Sequence, residues 1–195
     1  MMPRFACCLL ILSLSPALAG ELSVGDARAM VTKALPFLRT EADAWIEDRG
    51  CVTCHQVPFG IWSHAEARRL GFPIDDAKLD EWIDWSVKWE SWMSPKRGPA
   101  ETTTNTKEEK EAEAVAANVD TMAQLLLALA YPPSEPPQPW ADKFRKDLVG
   151  LQEDAGGWRA CGQLPLGRRP ARETQEVSTM WVRLALKDGT ASESD

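Results

Sequence analysis

Asp75-Asp76-Ala77-Lys78-Leu79-Asp80-Glu81-Trp82-Ile83-Asp84-Trp85-Ser86-Val87-Lys88-Trp89-Glu90-Ser91-Trp92-Met93 is the stretch whose reading decides the fold. Its four tryptophans recur at steps of three and four residues. At 100° per residue they project within an arc of about 80°, which is the pattern of a helix carrying one aromatic stripe. Asp75-Asp76 opens the helix and Ser94-Pro95 stops it, so it is predicted to run to about Met93. The stripe reads first as core packing and second as a wall against a bound group.

The segments on either side follow the same period. From Asp26 to Asp48, Met30, Ala34, Phe37, Leu38, Trp45 and Ile46 recur at helical steps; Pro36 is expected to bend or divide this helix, and Gly50 to end it. A second helix is predicted over Pro58–Leu70, with Ile61, Trp62, Ala65 and Leu70 apolar, closed by Gly71-Phe72-Pro73. Residues 96–106, rich in Thr, Pro and charge, read as a loop. The charged run 107–113 reads as the solvated start of an apolar helix over Ala114–Ala130. Further helices are predicted over Trp140–Leu151 and Glu173–Lys187. Strand alternation is absent, so the expected fold class is all-α.

Between the first two helices stands Cys51-Val52-Thr53-Cys54-His55. This spacing reads as a covalent attachment site for one c-type haem. Two thiols three positions apart can each form a thioether to one vinyl group. The adjacent His55 is then held where its imidazole can bind iron as the proximal ligand. The carbonyl of Pro58 is an expected acceptor for the other nitrogen of that ring.

The N-terminus agrees with this reading. Arg4 is the only charge in the first twenty residues, Phe5–Leu14 is apolar apart from Ser13, and Ser15-Pro16-Ala17-Leu18-Ala19 offers small residues to a signal peptidase. A secretory signal over 1–19, cut after Ala19, is expected, and with it a periplasmic or secreted location. Export suits the motif, because thioether attachment of haem takes place outside the bacterial cytoplasm. The expected organisation is a haem-bearing helical region over 20–130, a Pro-rich extended linker over 131–139, a repeat-like helical segment over 140–187 and a frayed tail over 188–195.

The chain has 22 basic and 29 acidic residues. Losing Arg4 with the leader leaves 21 against 29, a formal charge of −8. That excess argues against nucleic acid and anionic membrane surfaces as partners; it would draw in a basic redox partner protein, but reads first as the ordinary acidity of a soluble protein. No stretch after the leader reads as a membrane helix, so stable insertion is not expected. About 176 residues remain, enough for one domain with its own core. Of five cysteines, Cys7 and Cys8 leave with the leader, and Cys161 is left over once Cys51 and Cys54 carry haem.

Gln152-Glu153-Asp154-Ala155-Gly156-Gly157-Trp158 resembles the Gln…Gly-x-Trp end of the repeat in squalene–hopene cyclases and related α/α-toroid proteins. Glu176-Val177-Ser178-Thr179-Met180-Trp181 resembles the start of the next inner helix of such a toroid. Together with the haem motif, the chain resembles exported bacterial c-type cytochrome-like proteins that carry squalene-cyclase-like helical repeats. The resemblance implies a helical bundle or partial toroid-like array around one haem. It also implies a structural role for Gln152 and Trp158 in tying neighbouring repeats. An Asp sits at 147 where the repeat usually has an aromatic, one clear copy is present, and the Asp-rich motif of the cyclases is missing, so cyclase activity is not expected.

The sixth iron ligand is open between several residues. Met93, at a helix end beside Ser94-Pro95, is the first candidate, since a loop there could present its sulfur. His64 is the alternative, although a helix from Pro58 sets it about 13 Å from His55 along the axis, and a lone His on such a helix is usually a packing or surface residue. Met30 is a further candidate; Met122 and Met180 read as core. Trp62, Trp85 and Trp89 are the expected haem-packing aromatics. Rival readings are a Cys51/Cys54 thiol redox centre, which needs a βαβ context, and a zinc site, which lacks a second close ligand pair. A peroxidase using His64 with Glu66 or Arg68 is another. A toroid-like scaffold for a lipid or partner domain, with haem secondary or absent, is the main alternative to one-electron transfer.

Overall fold

In the computed structural model, residues 23–52, 56–92, 106–129, 138–159 and 170–187 are described. They form seven α-helices: α1 Val24–Arg49, α2 Gln56–Arg69, α3 Asp76–Ser86, α4 Lys107–Ala116, α5 Val119–Leu129, α6 Pro139–Gly150 and α7 Ala171–Lys187. A short 3-10 helix spans Trp89–Trp92, and no strand occurs among the described residues. The chain is all-α.

α5 is the axis of the molecule. Buried around its whole circumference, it packs most extensively on α2 and α7 and also meets α6; α1 and α3 lie on α2. Every residue from Val119 to Ala128 is buried. Leu125, Met122, Ile61 and Val57 interlock with Trp82, Trp92, Phe144 and Val182 in one core. Gly60 lets α1 close on α2: a Cβ there would lie 3.2 Å from that of Ala42.

Pro36 does not divide α1. The helix runs from its Ser23 cap to Gly50 with Pro36 inside it. Of its expected apolar positions Met30, Ala34 and Phe37 are exposed, Leu38, Trp45 and Ile46 are half-buried, and the buried residues are Leu35 and Ala42. α2 begins two residues before the expected Pro58, and Leu70 lies exposed beyond its end.

The tryptophan stripe does not form a single helix. α3 ends at Ser86, because side chains take the carbonyls that another turn would need. Trp92 Nε1 donates to Ser86 O at 2.7 Å, and Ser91 Oγ donates to Trp85 O at 2.8 Å and Lys88 O at 2.7 Å. Trp82 and Trp92 are buried, whereas Trp85 and Trp89 are half-buried.

The predicted helix over 114–130 is two helices meeting at a 74° bend. Asn118 makes the break: its Nδ2 donates to Ala114 O at 2.7 Å and its own carbonyl accepts the first bond of α5. The charged start belongs to α4, capped by a reciprocal Thr106–Glu109 box. Pro139 opens α6 instead of closing a linker. On α7 the buried face is Thr174, Ser178, Val182 and Ala185. Met180 sits about 200° around the helix from Ser178 and is exposed, so it is not a core residue.

Candidate functional site

Gly50 adopts φ 60° at the end of α1, the left-handed cap that glycine accommodates without a Cβ penalty, and donates to Ile46 O at 2.9 Å. The chain therefore turns sharply before Cys51. Two bonds, one local and one long-range, then fix the backbone. Trp45 Nε1 donates to Cys51 O at 2.9 Å, and Val52 N donates to Ser91 O at 2.9 Å. Cys51 is 5% exposed and Val52 is fully buried. The first residue of the five-residue motif is thus clamped between the end of α1 and the 3-10 helix, one short step before α2.

Cys54, His55 and Met93 lie outside the described residues, as do residues 1–19, where a leader is expected, Cys161, most of the Pro-rich segment and the tail. The aromatic candidates separate into two groups. Trp62 on α2 meets Phe59 at 6.3 Å and Trp181 of α7 at 6.5 Å, a cluster that ties α2 to α7. Trp85 and Trp89 pack against the main core from α3 and the 3-10 helix.

His64 is buried two turns beyond Gln56, about 12 Å along α2. Its Nδ1 lies 2.8 Å from Gly60 O, and its ring stands edge-on to Trp82 with centroids 5.1 Å apart. Because a carbonyl only accepts, the neutral ring carries its proton on Nδ1, and Nε2 keeps a lone pair. Burial, with the charge of Arg39 adding to it, lowers the His64 pKa; the Gly60 bond and Asp43 oppose this less strongly. The residue lines a cavity of about 390 Å³ between α1, α2 and α3. Neither Cys51 nor Val52 lines that cavity.

Sequence reading missed the charged frame of this cavity. Arg39 pairs with Asp75 at 3.1 Å, Lys78 with Asp43 at 3.3 Å, and Trp82 Nε1 donates to Asp43 at 2.9 Å. Arg39 and Asp43 stand one helical turn apart, a spacing visible in the sequence. Their union with Asp75 and Lys78 arises only from packing.

The Gln152–Trp158 turn joins α6 to α7. Trp158 is buried, and its Nε1 donates to Leu148 O at 2.6 Å while its backbone N–H donates to Thr179 Oγ1 at 3.1 Å. Gln152 is exposed, and its amide donates to Gly156 O at 2.9 Å within the turn itself. Gln175 of α7 reaches Glu153 at 2.7 Å. Trp158 and Gln175 thus bridge the two helices, while Gln152 shapes the loop between them.

Comparison of the chain with known proteins finds no matching family model, no matching curated protein and no matching solved structure.

Proposed function

We propose that this is an exported monohaem c-type cytochrome-like protein that transfers single electrons to or from a protein partner. The observation that carries the reading is the motif Cys51-Val52-Thr53-Cys54-His55, which begins at a backbone clamped between two helical elements. The donor set fits one haem: two thiols at thioether spacing and a neighbouring imidazole. The apolar leader, with small residues before Ala19, supports export to the compartment where such attachment occurs.

In this reading Cys51 and Cys54 hold the group and His55 ligates iron. Trp45 and Ser91 keep the attachment backbone in place. Bound haem supplies a one-electron iron couple. Half-buried Trp62, Trp85 and Trp89 are the aromatics available to exclude water from it. Met93 is the distal ligand proposed first. His64 is second to it, because its cavity includes no residue of the clamped motif start.

The likeness to cytochrome proteins with toroid-type repeats belongs to this proposal too. Its second reading, a repeat scaffold for a lipid or partner domain, is favoured by the Trp158 bridge from α6 to α7. Maturation in a host with a haem-attachment system, followed by haem staining of a denaturing gel, separates the two. The cytochrome reading expects a stain that Cys51→Ala with Cys54→Ala abolishes; an unstained wild-type band overturns it. With Met93 on iron, carbon monoxide should bind the reduced protein slowly, and rapid binding rejects that ligand.

A further inference from the structure

The cavity beside His64 is lined by neither Cys51 nor Val52, and its chemistry is specific. Its volume of about 390 Å³ lies within the range of small-molecule sites. Leu35, Ile74, Leu79 and Trp82 make its walls largely apolar. His64 lines it, and its Nε2, an acceptor, makes no hydrogen bond among the described residues. Thr32 also lines it, and Pro36, four residues on, has no N–H to donate to the Thr32 carbonyl.

The walls are held open. Nδ1 of His64 is anchored on Gly60 O, and Trp82 is anchored on Asp43 through Nε1. Neither ring can rotate to fill the void without breaking a bond. Charge selects further. Arg39 is balanced by Asp75, and Lys78 by Asp43 and Glu81. A carboxylate ligand would have to compete with these carboxylates, and a cationic ligand would meet Arg39 and Lys78. A neutral ligand disturbs neither pair.

We infer that the cavity between α1, α2 and α3 binds a neutral small molecule with a ring-sized apolar body and a hydroxyl that donates to Nε2 of His64. Neither Cys51 nor Val52 belongs to its described lining, and binding is read without reference to haem, so the inference stands or falls separately from the cytochrome reading.

The test titrates the full mature protein with 4-methylphenol, toluene and 4-methylbenzoate while the ring signals of His64 and the indole N–H of Trp82 are followed by NMR. 4-Methylphenol should shift both signals saturably. Toluene, which has the same body without the donor, should bind roughly fivefold to tenfold more weakly. His64→Phe should erase the preference for 4-methylphenol over toluene. Ile74→Trp, at a half-buried wall position, should abolish binding of both, and it serves if the histidine variant does not fold. Absence of saturable shifts, tighter binding of the benzoate, or an unchanged preference in folded His64→Phe overturns the inference. So does unchanged binding in Ile74→Trp.

Discussion

α1 and α5 carry apolar residues at similar helical steps and occupy opposite environments. α1 is 26 residues long, and Leu35 and Ala42 are its only fully buried positions. α5 has 11 residues, ten of them buried. Length and periodicity therefore say little about how much a helix contributes to the core. What matters is how many sides are covered: α5 has α2, α6 and α7 around it, while α1 rests on α2.

The sharpest way to break this contrast is to truncate inside α5. Leu125→Ala removes a fully buried side chain and should cost about 2–5 kcal/mol in urea unfolding. A loss below about 1 kcal/mol would mean that α5 is not the packed axis described. Next comes Trp158→Phe, which keeps an aromatic six-membered ring but removes the indole N–H that donates to Leu148 O. A loss of about 1–3 kcal/mol is expected by the same measurement.

Acidification probes the place where α1 does meet the core. The His64 pKa is lowered in the folded protein from 6.5, chiefly by burial. The unfolded chain then takes up a proton that the native state resists. His64 should therefore reduce stability progressively as pH falls below 6.5, levelling off below its folded pKa. The urea midpoint should lose this component in His64→Phe; an identical pH profile in the variant would refute the assignment.

Gln124→Met should be nearly neutral or slightly stabilising, since both amide atoms of Gln124 are buried without a partner among the described residues. A loss comparable to that of Leu125→Ala would reveal a bond there. Smallest of all, Phe37→Ser on the exposed side of α1 should shift stability by less than about 0.5 kcal/mol. A larger loss would show that this face of α1 is covered in solution.

The all-helical class was readable because six segments keep a clear 3.6-residue period without strand alternation. The breaks were not. Asn118 and Ser91 end helices by bonding nearby carbonyls, a choice made by rotamers within a pattern that itself continues unbroken. Pro36 misled in the other direction, since its fixed φ suits a helix and only one backbone bond is lost. Of the candidate site, the five-residue motif was visible at once. The clamp on Cys51 and the cavity at His64 join residues up to 50 positions apart, such as Thr32 and Trp82, and no local pattern encodes such meetings.

The clamp also has a temporal side. Trp45 can meet Cys51 locally, but Ser91 can close the clamp on Val52 only after the 3-10 helix, some forty residues further along the chain, has docked. Until then the sulfur is open to any enzyme or reagent; afterwards it is shut in. Chemistry at this thiol is thus governed by a race, and slowing the closure of the fold widens the window in which the side chain can be reached.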